Sequence, residues 1–238
     1  MVKITVSEQN SNNLCVAYVY NSLSSYLNIC GANADITFDD TRTNLIMATD
    51  KKYLPYIIKQ TEEKIAEVIA VGYKYNLLKN KIKPIRLNEL DTEVLLCALV
   101  SADFNEDKKY IIKRLKEVNV YSIDGFYNFR LQNLKRKWQG IIECIPNDFT
   151  PNDLCDFINY LFEERGTVTI KYNDGKFYDK SYNRLNRAEL IDSSFNELNN
   201  VRELLLSGAT KLECNCKPDY LMCEVLNKYY RNRTDFII

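Results

Sequence analysis

The sequence predicts an α+β protein with a helix-rich central region, a short N-terminal β element and a C-terminal α/β subdomain. Apolar and polar residues alternate at the start of the chain, which is typical of a strand. From residue 55 the apolar residues recur at helical spacing, and beyond Arg165-Gly166 alternation returns. These changes predict three segments: an N-terminal mixed α/β segment (1–50), a helical bundle-like region (51–165) and a small C-terminal α/β subdomain (166–238).

The N-terminal segment starts with a predicted strand, because Val2, Ile4 and Val6 alternate with polar residues. Residues 13–27 have roughly helical apolar spacing, although residues 16–20 are also compatible with a strand. Two short strands are then predicted at residues 36–38 and 45–47, since the polar stretch between them suits a turn.

The central region begins with a long predicted helix that starts at Pro55 and ends near Lys83-Pro84. Proline cannot join a preceding helix without losing a hydrogen bond, so it is a natural stop. Two further helices are predicted at residues 89–102 and 105–118. A fourth begins near Asp124, which is expected to cap it, and its apolar stripe extends to Ile142.

A fifth helix is predicted to start at Thr150, because a threonine cap is followed by Pro151 in the first turn. The C-terminal subdomain then opens with a predicted hairpin that turns at residues 173–175. Its remaining predicted elements are a helix that stops at Gly208, a strand, a second helix and a final strand, at residues 196–206, 211–214, 218–230 and 236–238.

Composition limits the possible functions. The chain has 32 basic and 32 acidic residues, which argues against a polyelectrolyte role for the whole protein. It contains no histidine, which excludes Ser-His-Asp and Cys-His catalysis and every histidine-containing metal site. The isolated glycines provide no phosphate-binding loop, and neighbouring carboxylates such as Glu62-Glu63 point in different directions on a helix. The sequence therefore predicts a protein that is not an enzyme and needs no cofactor, with an enzyme that uses cysteine or carboxylates as a third hypothesis.

The N-terminus lacks the layout of a signal peptide, and the longest apolar runs are too short to span a bilayer. We therefore expect a cytoplasmic protein whose eight cysteines are reduced thiols. Three of these, Cys214, Cys216 and Cys223, lie close in sequence and are weak candidates for a metal or redox site. A structural zinc site usually has four cysteine or histidine ligands, and its paired cysteines are separated by two or more residues. Three cysteines, two of them separated by a single residue, do not fit this pattern, so ordinary packed thiols are favoured.

Basic residues suggest an alternative function, a nucleic-acid-binding module that uses the helices of residues 51–137. Residues 51–86 carry nine basic and three acidic residues, and Lys108, Lys109, Lys113 and Arg114 add a basic helix face. However, residues 88–150 as a whole carry nine basic and ten acidic residues. This balance favours solvated helix faces whose charges compensate each other, so nucleic-acid binding is possible but not favoured.

One stretch resembles a known family. Residues 124–131, Asp-Gly-Phe-Tyr-Asn-Phe-Arg-Leu, are similar to the Gly-Phe-x-x-Phe-Arg-Leu signature of the YtxC-like sporulation proteins of endospore-forming bacteria. A following helix rich in Tyr, Phe, Ile and Leu (154–162) and the closing run from residue 196 to 236 also resemble that family. The resemblance covers about three-quarters of the chain. It implies a role in endospore formation but no biochemical activity.

The signature residues, Gly125, Phe126, Phe129, Arg130 and Leu131, allow two interpretations. As a structural motif, the stretch would place the two phenylalanines and the leucine near the buried side of a helix and Arg130 at its boundary. As a binding motif, it would contact an unknown protein partner. The sequence thus predicts a cytoplasmic protein that acts in sporulation through protein–protein contacts.

Overall fold

The computed structural model describes residues 1–82, 86–118, 120–194 and 196–237, and it confirms the predicted α+β fold class. The helices are α1 (Asn13–Ile29), α2 (Leu54–Val68), α3 (Lys74–Lys81), α4 (Glu89–Ala102), α5 (Phe104–Leu115), α6 (Ile123–Arg130), α7 (Gln132–Glu143), α8 (Pro151–Arg165), α9 (Glu197–Leu206) and α10 (Tyr220–Tyr229). The strands are β1 (Val2–Gln9), β2 (Asn33–Phe38), β3 (Arg42–Thr49), β4 (Tyr121–Ser122), β5 (Thr169–Asn173), β6 (Lys176–Tyr178), β7 (Arg184–Leu185), β8 (Lys211–Cys214) and β9 (Thr234–Phe236). None of the described helices is both long and apolar enough to cross a membrane.

The chain forms two compact units, each discontinuous in sequence. Unit 1 comprises residues 1–74 and 104–138, and unit 2 comprises residues 75–103 and 139–238. The division into three segments that the sequence suggests, residues 1–50, 51–165 and 166–238, stays a prediction.

Unit 1 contains a four-stranded sheet in the order β2-β3-β1-β4. β3 pairs antiparallel with both β1 and β2, whereas β4 pairs parallel with β1. Strand β3 alternates as the sequence predicts, with Leu45 and Met47 fully buried, and it is longer than predicted. β4 is a two-residue strand that the sequence pattern does not indicate.

Helix α1 settles the ambiguity at residues 16–20 in favour of a helix. Val16, Val19, Leu23 and Leu27 are all buried and recur every three or four residues, which places them on one helical face. That face packs on β1 and β3. Burial against the sheet therefore decides between two patterns that the sequence leaves open.

The long helix predicted from Pro55 is interrupted. Pro55 is in the first turn of α2, as expected, but a five-residue π-helical segment, Ile69–Tyr73, separates α2 from α3. Helix α3 ends at Lys81, and the predicted stop at Lys83-Pro84 lies outside the described residues. Short π-helical segments of this kind are rare and occur mostly inside longer α-helices.

Unit 2 contains a five-stranded sheet in the order β7-β6-β5-β8-β9. The predicted hairpin is β5 and β6, while β8 runs parallel to both β5 and β9. Helices α4, α8, α9 and α10 pack against one another around a core that includes Leu154, Phe162, Val201, Leu204 and Met222.

Several predicted boundaries in unit 2 are confirmed. α4 has the predicted bounds, and α8 starts at Pro151 with a full capping box between Thr150 and Asp153. Gly208, which follows α9, has φ +71°, a conformation that favours glycine. The last strand, predicted at residues 236–238, instead comprises Thr234–Phe236, so only Phe236 is shared; Ile238 lies outside the described residues.

Candidate functional site

The stretch that carries the family resemblance, residues 124–131, forms most of α6, and the first turn of that helix is fixed to the unit 1 sheet. Arg42 of β3 forms an ion pair with Asp124 at 2.5 Å and also donates hydrogen bonds to Ser7 and Ser122. The predicted cap is wrong, because Ser122 holds the N-cap position and Asp124 lies inside the helix. Burial would raise the pKa of Asp124, but hydrogen bonds from Arg42 and Ser122 outweigh it, so the pKa is lowered.

Gly125 has a steric role at this helix start. A Cβ atom at Gly125 would lie 2.7 Å from the Ser122 hydroxyl oxygen, which accepts a hydrogen bond from Arg42 at 2.9 Å. A larger residue would therefore push the hydroxyl away from Arg42. This accounts for the glycine of the motif without any reference to a ligand.

The buried members of the motif lie as expected. Phe126 is 5% exposed and Leu131 is fully buried. Tyr127 is also buried, and its ring lies 4.4 Å from the ring of Tyr73 and 6.4 Å from that of Trp138, measured between centroids. Burial raises the pKa of Tyr127 to about 12. The inner side of α6 is therefore an aromatic contact within unit 1.

The predicted burial of Phe129 is wrong, because its side chain is 82% exposed. An α-helix turns about 100° per residue, so Ile123, Phe126 and Tyr127 share one side while Phe129 falls outside that arc. No other large hydrophobic side chain among the described residues is more exposed. Apolar spacing alone missed this, since a phenylalanine at i+3 from Phe126 also fits a buried stripe.

The predicted continuous helix from Asp124 to Ile142 is also wrong. Leu131 has φ −112° and ψ 26°, which ends α6 before α7 begins at Gln132. The Gln132 side-chain amide donates to the backbone carbonyl of Asn128 across this break. At this break Leu131 is buried, whereas residues 128–130, 132 and 133 are exposed.

We define the Phe129 surface by the exposed residues at this break, which are Asn128, Phe129, Arg130, Gln132, Asn133 and Arg136. Arg136 lies one helical turn beyond Gln132 and Asn133 on α7, so the three are neighbours on the helix. The surface thus combines one exposed aromatic ring, two arginines and three amides.

The charged residues in the sequence around this surface are all basic. Residues 125–142 contain four basic residues, Arg130, Lys135, Arg136 and Lys137, and no acidic residue. Lys137 is paired with Asp107 at 3.1 Å, and the Lys135 ammonium lies 4.4 Å from the centroid of the Tyr127 ring. Within the described part of the chain, Arg130 and Arg136 have no ion-pair or hydrogen-bond partner. Both guanidinium groups are therefore available to an acidic surface.

The start of α7 is held from beneath by a buried carboxylate. Asp107 of α5 accepts hydrogen bonds from Lys74 and from the indole N–H of Trp138, both at 2.8 Å. Lys74, Asp107 and Trp138 are all buried. These contacts, together with the Arg42–Asp124 pair, fix both helices that form the Phe129 surface.

The basic face proposed for nucleic acid is partly compensated. Lys108 is paired with Glu63 at 2.8 Å, and Arg114 with Glu117 at 3.0 Å, whereas Lys109 and Lys113 are exposed. Two of the four candidate phosphate contacts thus already have acidic partners. Nucleic-acid binding stays an untested alternative.

The three candidate metal-binding cysteines belong to unit 2. Cys214 is fully buried in β8, and Cys216 and Cys223 are half-buried. Burial, followed by the neighbouring thiols, raises the pKa of Cys214 to about 12, which disfavours the thiolate that metals require. Among residues 1–82, 86–118, 120–194 and 196–237, no group of three or more His, Cys, Asp or Glu side chains could hold a metal ion.

Comparison of the chain with family models, with curated proteins and with solved structures finds no match. The resemblance of residues 124–131 to the YtxC-like proteins therefore stays a prediction.

Proposed function

We propose that this chain is a non-enzymatic cytoplasmic protein that acts in endospore formation through protein–protein contacts, and that its partner binds the Phe129 surface. The observation that carries the proposal is the 82% exposure of Phe129 within the motif that resembles the sporulation family. A structural role accounts for Gly125, Phe126 and Leu131, but it accounts for neither Phe129 nor Arg130.

The chemistry of the surface suits a protein partner. Aromatic residues and arginine are enriched at interface hot spots, where they fill desolvated pockets. Burying a phenylalanine side chain contributes about 1.5–3 kcal/mol. Because a part-buried contact fixes α6 and buried contacts fix α7, little conformational entropy would be lost on binding.

The charge of the surface indicates the kind of partner. Arg130 and Arg136 would pair with carboxylates placed around an apolar pocket that accepts the Phe129 ring. Nucleic acid fits less well, because its affinity depends on many phosphate contacts and this surface offers two uncompensated cations.

Phe129→Ala is expected to separate stability from function. The side chain is exposed, so the free energy of unfolding should change by no more than about 0.5 kcal/mol. Loss of a hot-spot anchor costs about 2 kcal/mol or more, so partner affinity should fall roughly 30-fold and spore counts should drop. The measurement pairs thermal unfolding of the purified variant with spore counts from an endospore-forming strain that carries it.

Tyr220→Ala is the matched control, because Tyr220 is an aromatic residue that is 75% exposed on unit 2. It should leave both stability and spore counts unchanged. Arg130→Glu should reproduce the Phe129→Ala phenotype in a stable protein. A stable Phe129→Ala variant with normal spore counts would refute the partner-binding role of this surface.

A further inference from the structure

A second feature, on unit 2, points to a small anionic ligand. A concave pocket of about 410 Å³ lies where α8 meets the turn after α10, and it is lined by Asn159, Lys228, Tyr229, Arg231, Asn232 and Arg233. Three of these side chains are cationic and two are amides, and no carboxylate is among the described residues that line the pocket. Ligand sites in proteins commonly have volumes of about 300–1,000 Å³.

Arg233 is held in place from several sides. Its guanidinium carbon lies 4.6 Å from the centroid of the Phe162 ring, which in turn packs on Tyr230 at 4.8 Å. Its backbone N–H donates to the Tyr230 carbonyl, and its carbonyl accepts from Leu212, both at 2.8 Å. An arginine stacked on an aromatic face keeps the donors at its edge free for bidentate contact with an anion.

The pocket keeps a positive charge after its internal pairing is counted. Lys228 is paired with Asp91 at 2.7 Å, and the Tyr229 hydroxyl donates to the same carboxylate. Arg231 and Arg233 have no acidic partner among the residues that the structure describes. Arg231 and Arg233 therefore line the pocket together with Asn159 and Asn232, and none of the described lining residues is acidic.

We propose that this pocket binds a small phosphate-bearing ligand, with Arg231 and Arg233 as the groups that contact its phosphate oxygens. Guanidinium matches the geometry of phosphate through paired N–H donors, and carboxamide N–H groups complete the set. The volume accommodates a diphosphate group. The pocket belongs to unit 2 and the Phe129 surface to unit 1, so failure of one proposal leaves the other intact.

The test is calorimetric titration of the full chain with sodium pyrophosphate and with inorganic phosphate at low, constant ionic strength. We expect saturable binding of one pyrophosphate per chain. The affinity should fall about tenfold or more in Arg231→Ala and in Arg233→Ala, because hydrogen bonds between charged groups contribute more to binding than neutral ones. Arg231 is exposed, so its variant should fold normally even if Arg233→Ala loses packing on Phe162.

Arg184→Ala is the control for nonspecific charge, because Arg184 is an exposed unit 2 arginine paired with Glu189. It should bind pyrophosphate as the unmodified chain does. No saturable binding, or equal weakening by Arg184→Ala and Arg231→Ala, would overturn the proposal.

Discussion

Replacing Asp107 with alanine is expected to destabilise unit 1 by about 3–5 kcal/mol, because it leaves a buried lysine without its carboxylate. Lys74 and Asp107 are 0% and 1% exposed at their side chains, and the same carboxylate accepts the indole N–H of Trp138. Removing one member of such a pair costs far more than the pair contributes, since the remaining charge stays desolvated. Chemical denaturation of the purified variant measures the loss.

Glu106→Ala is the matched control, because Glu106 neighbours Asp107 on α5 but is exposed. It should change stability by no more than about 0.5 kcal/mol. The double replacement Lys74→Met with Asp107→Leu should recover much of the lost stability, since apolar residues of similar volume need no charged partner. Equal stability of Asp107→Ala and Glu106→Ala would contradict the buried ion pair.

Arg202→Ala should destabilise unit 2 to a similar extent, again by about 3–5 kcal/mol. Arg202 of α9 donates to Glu93 of α4 at 2.7 Å, and the Tyr75 hydroxyl donates to the same carboxylate at 2.8 Å. Burial, followed by the charge of Glu93 and this hydrogen bond, raises the pKa of Tyr75, so the hydroxyl stays protonated as a donor. Loss of the guanidinium would leave the buried Glu93 carboxylate with the Tyr75 hydroxyl and the weakly donating Cys97 thiol, both of which are neutral.

Arg184→Ala provides the comparison for this prediction, because the Arg184–Glu189 pair of the same unit is exposed. Exposed ion pairs contribute about 0–1 kcal/mol. Denaturation of both variants should therefore show a large loss for Arg202→Ala and a small one for Arg184→Ala. Similar small losses in both would show that Glu93 and Arg202 are not a desolvated pair.

Local signals in the sequence predict the elements that depend on local chemistry. The Thr150–Asp153 capping box and the bounds of α4 are readable because caps and apolar periodicity act within a few residues. The hairpin of β5 and β6 is also readable, since its turn contains Asp174 and Gly175, both with positive φ.

Features that depend on residues distant in the sequence cannot be predicted from local patterns. Asp124 looks like a cap, but it pairs with Arg42, which is 82 residues away in the chain. The break at Leu131 and the exposure of Phe129 follow from how α6 packs in unit 1, which apolar spacing does not specify. The two residues of β4 pair with β1, which is distant in the sequence, so no local pattern indicates this strand.

Site-specific photocross-linking at position 129 tests the central claim most directly. Phe129→p-benzoylphenylalanine in sporulating cells should give a light-dependent adduct with one protein, whose cross-linked segment combines an apolar residue with Asp or Glu. The same substitution at Tyr220, which is also exposed, should not capture that protein. Arg130→Glu combined with Arg136→Glu should abolish the adduct, because both positions would then carry a negative charge that repels the acidic segment. An adduct with nucleic acid, or no protein adduct at position 129 during sporulation, would contradict the account.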